Sequence, residues 1–219
     1  MKTSYEYIFW DLDGTVLNTY EGIYRGLTYA LGFFGIQEKD ASVIRRFIGP
    51  PLRDMLPEVY GFDSVQTEVC IEKYREFYLD GGMFLSEPYP GIPALLDQFR
   101  QAGALQAVTS SKPELMCKKI LANLQLDQKF DLIVGASLDG KKDTKADVLE
   151  DALKRMAVTD RSKVVLIGDT KYDAEGAQAA GVDCIGITWG FGSRGEMLPF
   201  APVAVFDSAQ EVAEMLLQE

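Results

Sequence analysis

The sequence predicts an α/β protein with a doubly wound parallel sheet and an inserted α-helical domain. Short apolar, β-rich runs alternate with helical patterns along most of the chain, which is the order of elements in βαβ units. Several of these runs are continuously apolar, as in strands that are buried on both faces of a parallel sheet. The segment 17–88 interrupts the alternation, because it carries helical patterns and little strand signal.

Each predicted strand is a short apolar run that ends in a polar, Gly or Asp residue. The predicted strands are Tyr5–Trp10, Leu105–Thr109, Leu132–Val134, Val164–Ile167 and Cys184–Thr188, with Ala204–Phe206 as a weaker sixth. The helices predicted between them are Ile92–Ala102, Pro113–Leu124, Ala146–Met156 and Ala174–Ala180. Proline opening the second of these helices and glycine directly after the last are typical helix boundaries.

The interrupting segment is predicted to form a helical domain of its own. Its helices are predicted at Glu21–Phe34, Ala41–Phe47, Leu52–Val59 and Val65–Asp80, with glycines between them. We therefore assign 1–16 and 89–219 to the α/β core and 17–88 to the insert. Because the insert follows the first strand, we expect it over the carboxyl ends of the strands, where open α/β sheets bind ligands.

Composition excludes several classes of function. The net charge of −11 argues against binding to a nucleic-acid polymer, which depends on Lys and Arg meeting phosphates. A small phosphorylated substrate stays compatible if a metal ion and a lysine correct the charge locally. The three cysteines, widely spaced, indicate buried thiols in a reducing compartment. With no long apolar run and no export signal, we expect a cytoplasmic location and no membrane partner.

The chain contains no histidine. This absence excludes Ser-His-Asp and Cys-His catalysis, histidine-ligated zinc and phosphohistidine chemistry. Acid–base work must therefore fall to Asp, Glu, Lys, Tyr or Cys.

Two carboxylates, Asp11 and Asp13, follow the first predicted strand in the run DLDGT. One acid at the strand tip and a second just beyond it suit a nucleophile and a general acid/base acting on opposite sides of one phosphorus. The alternative is a simple turn, since Asp and Gly are common turn residues.

A second acidic pair, Asp169 and Asp173, follows the predicted strand Val164–Ile167. Like charges at neighbouring strand tips repel each other unless a cation lies between them. An oxygen-only set suits Mg²⁺. The alternative is that either residue merely caps the next helix.

Hydroxyl groups and lysines complete a candidate phosphate site. Ser110 and Ser111 follow a predicted strand and precede a helix, where hydroxyls and helix amides bind phosphate oxygens. Lys141, Lys142 and Lys145 lie downstream, and one of them could neutralise charge on a transferring phosphoryl group.

In this order, DxDGT at Asp11–Thr15, a hydroxyl at Ser110, a downstream lysine and GDxxxD at Gly168–Asp173 resemble the four signature elements of the haloacid dehalogenase (HAD) superfamily. The resemblance implies a Rossmann-like core. It also implies that the insert 17–88 is the superfamily's α-helical cap.

The resemblance implies a role for each matched residue. Asp11 would be the nucleophile, forming an aspartyl-phosphate and binding Mg²⁺. Asp13 would protonate the leaving alkoxide, deprotonate the attacking water and ligate the metal through its backbone carbonyl. Ser110 would hydrogen-bond the phosphoryl group, and Asp169 and Asp173 would hold the Mg²⁺.

The remaining substrate contacts are expected from Thr15, Ser111 and a lysine. Many members carry Lys-Pro-x-Pro-Asp, whereas this chain has KDTKAD at 142–147. The members that this stretch resembles, with Ser-Leu-Asp-Gly followed by a short basic stretch, usually carry the lysine immediately before a small residue and an acid. The resemblance therefore favours Lys145, and Lys142 is the reserve.

The presence of the second carboxylate, Asp13, indicates phosphoryl transfer rather than dehalogenation. Dehalogenases of the superfamily lack a carboxylate at this position, because their reaction needs no protonated leaving group. The motifs Phe47–Leu52 and Thr188–Arg194 resemble the phosphoglycolate-phosphatase-like branch, which also contains enzymes for nucleoside 5′-monophosphates. We expect Mg²⁺-dependent hydrolysis of a small phosphorylated metabolite. The alternatives are a phosphomutase of β-phosphoglucomutase type and a non-catalytic phosphate-binding regulator. The sequence indicates neither the ester nor the oligomeric state.

Overall fold

The chain divides into two compact units in the computed structural model, which describes residues 2–137, 142 and 144–218. Unit 1 comprises Met1–Asn18 and Pro88–Glu219, and unit 2 comprises Thr19–Glu87. Unit 1 contains the main sheet, whereas unit 2 is mainly helical. The role of unit 2 as a cap stays a prediction.

The strands of the described residues are short, as is usual in α/β proteins. In chain order they are β1 (Lys2–Thr3), β2 (Tyr7–Trp10), β3 (Leu17–Asn18), β4 (Glu87–Pro88), β5 (Leu105–Pro113), β6 (Leu132–Ala136), β7 (Val164–Gly168), β8 (Asp183–Ile187), β9 (Ala204–Phe206) and β10 (Leu217–Gln218).

The helices between them are, in chain order, α1 (Tyr20–Gly32), α2 (Ala41–Arg45), α3 (Leu52–Tyr60), α4 (Ser64–Leu79), α5 (Ile92–Gln101), α6 (Glu114–Asn123), α7 (Lys145–Arg155), α8 (Lys171–Ala180), α9 (Arg194–Met197) and α10 (Ala209–Leu216). Short 3₁₀ turns occur at Gly82–Phe84, Asp127–Lys129, Arg161–Lys163 and Leu198–Phe200. Within the described residues, no helix is long and apolar enough to span a bilayer.

The main sheet is parallel and has the strand order β6-β5-β2-β7-β8-β9. Tyr7 of β2 is in register with Leu105 on one side and Val164 on the other. The chain proceeds from β2 outward to β5 and β6, and then returns to β7 on the opposite side of β2. Such a reversal opens a crevice at the carboxyl ends of the strands. This architecture confirms the predicted α/β fold.

Burial on both faces explains the continuous apolar runs. Phe9 belongs to a buried cluster with Val134 and Leu149, whereas Trp10, on the next position of β2, packs against Phe99 with ring centroids 6.0 Å apart. Full burial of such a side chain contributes about 1.5–3 kcal/mol. Gln106 is the polar exception in β5, and it is satisfied because it accepts from Trp10 Nε1 at 3.2 Å.

Unit 2 is built around the packing of α1 on α4. Gly26 permits the close approach, since a Cβ there would lie 2.9 Å from Cε2 of Tyr74. A capping box opens α4: Asp63 accepts from the Gln66 amide at 2.8 Å, and the Gln66 side chain accepts from the Asp63 amide at 3.0 Å. Two orphan amides of the first turn are thereby satisfied.

Two boundaries differ from the sequence prediction by three or more residues in the part of the chain that forms the site. Strand β5 continues to Pro113, with a register shift against β6 between Ser110 and Pro113, so that the segment predicted as a connection is an irregular extension of the strand. Helix α8 begins at Lys171 rather than Ala174, because Thr170 and Asp173 form a capping box before the alanine-rich part.

Candidate active site

Asp11 lies at the tip of the central strand. Its backbone amide donates to Ile167 O at 2.9 Å, which continues the pairing of β2 with β7 by one residue. The chain then turns back, with the Gly14 amide donating to Leu17 O at 2.8 Å. Gly14 has φ +96°, and a Cβ there would lie 2.3 Å from Asp169 Oδ2. Glycine is therefore required both by the turn and by the neighbouring carboxylate.

Asp169 follows β7 directly and is fully buried. Its Oδ1 accepts from the Thr15 hydroxyl at 3.0 Å and its Oδ2 from the Phe191 amide at 2.7 Å. Burial raises the pKa of Asp169 to about 7, and the nearby Asp173 carboxylate adds to the shift. These hydrogen bonds fix the orientation of the group, but they do not cancel the cost of its charge.

Asp173, the third residue of α8, uses its two oxygens differently. Oδ2 accepts from the Thr170 amide at 3.0 Å and from the Thr170 hydroxyl at 2.8 Å, which completes the capping box. Oδ1 instead faces Lys145 Nζ at 2.7 Å. From the sequence, helix capping and a place in the acidic site were alternative roles for Asp173. In the structure this residue has both.

Lys145, the first residue of α7, is buried and reaches into the acidic group. Its Nζ pairs with Asp11 Oδ1 and with Asp173 Oδ1, and donates to Thr109 O at 2.9 Å. Burial opposes its charge, but the facing carboxylates of Asp11 and Asp173 outweigh that effect and raise the pKa of Lys145.

Asp11, Asp169 and Asp173 form a compact acidic group. One carboxylate oxygen of each lies within 4.8 Å of the others, and all three residues are buried. Burial raises the pKa of Asp11 well above its usual range; Lys145 works against this shift, and the other two carboxylates add to it. A single ammonium group does not balance three buried carboxylates, and oxygen donors suit a hard divalent cation. The group thus fits Mg²⁺.

Asp13 is not part of that group. Its Oδ1 lies 2.6 Å from Nζ of Lys112, and the two side chains are 15% and 7% exposed. The predicted contact of Asp13 with the metal, through its backbone carbonyl, stays a prediction.

The predicted phosphate-binding hydroxyls lie at the end of β5. Ser110 is buried, and its Oγ accepts from the Lys112 amide at 3.2 Å. Ser111 is half-buried beside it. The Thr15 hydroxyl donates to Asp169, so its predicted substrate contact stays a prediction.

The structure distinguishes the two candidate lysines by position. Lys145 lies among the carboxylates, whereas Lys142 Nζ pairs with Asp151 Oδ2 at 2.6 Å. Lys141 lies outside the described residues.

The family model for haloacid dehalogenase-like hydrolases matches residues 8–187. The chain belongs to this family. A 5′-nucleotidase of Pseudomonas aeruginosa is 34% identical over 90% of this chain and 89% of its own length. A phosphoglycolate phosphatase of Aquifex aeolicus is 31% identical over 88% and 89%.

Solved structures show the same likeness. The crystal structure of a predicted phosphatase from Clostridium acetobutylicum is 38% identical and superimposes with a TM-score of 0.91, covering 96% of this chain and 97% of that one. The protein tyrosine kinase PtkA of Mycobacterium tuberculosis is 30% identical with a TM-score of 0.84, covering 96% and 97%. The predicted HAD superfamily, fold and phosphatase class are therefore confirmed.

A loop that sequence reasoning used only as a branch motif also belongs to this HAD site. Trp189 Nε1 donates to Thr15 O at 3.1 Å. A Cβ on Gly190 would lie 2.3 Å from Asp169 Oδ2, and one on Gly192 would lie 2.1 Å from Asp169 O. The two glycines allow the loop to lie against the carboxylate. The spacing of these two glycines within 188–194 was the sequence feature that could have indicated this contact.

Lys112 is a second residue that was not predicted as part of the site. It was visible only as part of the segment between β5 and α6. A lysine there would ordinarily lie on the surface. The irregular end of β5 and its packing on Gly135, where a Cβ would lie 2.4 Å from Lys112 O, place it beside Asp13 instead.

Proposed function

We propose that this HAD-family phosphatase hydrolyses a small-molecule phosphate monoester with Mg²⁺, through an aspartyl-phosphate on Asp11. The observation that carries the proposal is the buried group of Asp11, Asp169 and Asp173 around Lys145. Such a group is costly without a cation, and it lies at the carboxyl edge of a parallel sheet, where α/β proteins bind ligands.

Charge balance supports the divalent cation. With Asp13 and Lys112 included, four carboxylates face two ammonium groups, which leaves two negative charges when all are ionised. Asp11, Asp169 and Asp173 would hold the ion with carboxylate oxygens. When bound, Mg²⁺ would polarise the phosphoryl group and reduce repulsion between the substrate and Asp11.

Asp11 suits the role of nucleophile. Its carboxylate oxygen would attack phosphorus while the bond to the ester oxygen breaks, and the phosphoryl group would pass to Asp11. Lys145 contacts Asp11 directly, so its charge would favour the ionised form of that carboxylate and then face the transferred phosphoryl oxygens. Ser110 is buried and directly follows Thr109, whose carbonyl oxygen accepts from Lys145, and it would donate a hydrogen bond to the same oxygens.

Asp13 suits the role of general acid and base. Being two residues beyond Asp11 and outside the metal-binding group, it would give a proton to the leaving alkoxide. The same carboxylate would then remove a proton from the water that hydrolyses the acyl phosphate. One side chain thus serves both steps.

We infer a substrate of metabolite size. The 5′-nucleotidase and phosphoglycolate phosphatase relatives each match nearly their whole length, and both names denote hydrolysis of small phosphate esters. A nucleoside 5′-monophosphate or a small phosphorylated acid is the class to test first. Unit 2 would be the cap, and its side chains would select the leaving group.

The test is a screen of phosphate esters with Mg²⁺, measuring release of inorganic phosphate. Asp11→Asn should lower kcat by at least about 10³-fold, since loss of a nucleophile removes the reaction route. Its circular dichroism should match wild type. Asp127→Asn, on the exposed side of a 3₁₀ turn, is the matched control and should retain full activity.

Three results would contradict the proposal. Isomerised sugar phosphate without release of inorganic phosphate would indicate the mutase. An inactive wild type in the presence of Mg²⁺ would favour the regulator. A wild-type rate in Asp11→Asn would refute the nucleophile.

A further inference from the structure

The two carboxylates of the DxD pair each contact a lysine of their own. Lys145, on α7, pairs with Asp11 and with Asp173. Lys112, on the irregular end of β5, pairs with Asp13 at 2.6 Å. The role expected for a HAD lysine is already taken by Lys145, so Lys112 needs an explanation of its own.

Lys112 is held in place by its backbone. Its amide donates to Ser110 Oγ at 3.2 Å, and its carbonyl oxygen accepts from Cys117 Sγ at 3.5 Å. On the other side, Gly135 of β6 leaves room for the same carbonyl, since a Cβ there would lie 2.4 Å from it. These three contacts fix the start of a long side chain.

The ion pair between Lys112 and Asp13 is largely shielded from solvent, which makes it costly to break. The Lys112 side chain is 7% exposed and that of Asp13 15%. Exposed ion pairs contribute about 0–1 kcal/mol to stability and do little to fix the side chains that form them. A buried pair between fixed backbones restricts both side chains, and removal of one partner leaves the other uncompensated. Asp13 is fixed too, because it belongs to the turn closed by the Gly14 amide and Leu17 O.

We propose that Lys112 is a positioning residue for the general acid, Asp13, and this inference rests on the proposed function. Lys112 holds Oδ1, which leaves Oδ2 to carry the proton. As the bond between phosphorus and the ester oxygen breaks, the proton passes from Oδ2 to that oxygen. The alcohol leaves, and Asp13 becomes the carboxylate that Lys112 faces. Lys145 serves the nucleophile, and Lys112 serves the leaving group.

The test compares two esters of similar shape. Nitrophenolate leaves readily without a proton, whereas phenolate depends more on the acid. The parameter is kcat/KM with saturating Mg²⁺, because it covers only the steps up to release of the phenol. Lys112→Met should lower kcat/KM for phenyl phosphate by about 10²-fold, within the range of general acid catalysis. The loss for p-nitrophenyl phosphate should be below about tenfold.

Three further variants and one control isolate the role. Lys112→Arg, which keeps the charge, should recover most of the phenyl phosphate activity. Asp13→Asn should show the same dependence on the leaving group, and adding Lys112→Met to it should cost less than about threefold more, as expected for residues that act as a unit. Lys118→Met is the control, since Lys118 is exposed and paired with Glu114; it should match wild type.

The outcomes separate this inference from the proposed function. An active wild type with equal losses on both esters in Lys112→Met, or with no loss, would overturn the positioning role alone. Additive losses in the double variant would do the same. A wild type that hydrolyses neither ester would overturn the proposed function, and this inference with it.

Discussion

Single side chains at this site carry two tasks, one for each oxygen. Asp173 caps α8 with Oδ2 and faces Lys145 with Oδ1. Asp169 is held by Thr15 and by the Phe191 amide. A carboxylate that is fixed by the backbone before any ligand binds loses little entropy on metal binding. The cost is a buried charge that the fold alone does not balance.

That cost predicts the pH dependence of metal-free stability. Burial favours protonated Asp169, so this contribution is complete below the unfolded pKa of about 3.9 and is lost as pH rises through about 7. The free energy of unfolding of wild type, relative to Asp169→Asn, should therefore fall by up to about 4 kcal/mol between pH 4 and pH 8. Urea unfolding in a chelator measures it.

Addition of Mg²⁺ should reverse much of this loss. At about 100 times the Kd, wild type should gain about 2.7 kcal/mol at pH 8, and Asp169→Asn should gain little. Asp127→Asn should respond as wild type does. A relative stability that is constant with pH would show that Asp169 is not costly when ionised.

At the scale of elements, the site depends on close packing between α7 and α8. Gly176 of α8 lies against Lys145, the first residue of α7: a Cβ there would lie 2.5 Å from Lys145 Cγ. Cγ and the neighbouring Cβ of Lys145 are at the base of the side chain and have little freedom to move. The contact between the helices therefore sets the position of Nζ.

Gly176→Ala should lower both activity and stability. Glycine to alanine inside a helix ordinarily stabilises a protein by about 0.4–1 kcal/mol, but here the methyl group must displace Lys145 and costs about 1–3 kcal/mol. We expect kcat to fall by at least about tenfold, because Nζ moves away from Asp11. The control is Gly195→Ala in α9, where no atom of the described residues lies within 4 Å of the added Cβ, apart from its chain neighbours and the backbone of its own helix. Gly176→Ala with higher Tm and full kcat would contradict this packing argument.

At the scale of the whole molecule, an acidic protein is proposed to take an anionic substrate. The net charge is −11, so a phosphate dianion is repelled at a distance, and it is attracted only close to the lysines and the proposed metal ion. Long-range repulsion is screened by salt, whereas contacts inside a buried site are screened much less.

The rate of substrate capture should therefore rise with ionic strength. Between about 10 mM and 150 mM NaCl at saturating Mg²⁺, kcat/KM for a phosphate monoester should increase by about two- to fivefold, and kcat should change little. A decrease in kcat/KM would show that a local positive field dominates the approach of the substrate.

The sequence by itself determined the fold class and which carboxylates gather. Asp11 and Asp169 could be assigned because each follows a buried apolar run, and the carboxyl ends of parallel strands meet at one edge of a sheet. Hydrophobic periodicity is a local property of the sequence, so the ends of the strands can be located from it. The missing histidine likewise needed no structure.

Only the tertiary structure decided which lysines and glycines complete the site. Lys142 and Lys145 lie three residues apart in the same polar stretch of the sequence. In the structure, Lys142 pairs with Asp151, whereas Lys145 pairs with Asp11. Lys112 reaches Asp13 because β5 is irregular where it packs on Gly135. These contacts join residues far apart in the chain. The packing of whole elements sets such distances, and no local pattern encodes them.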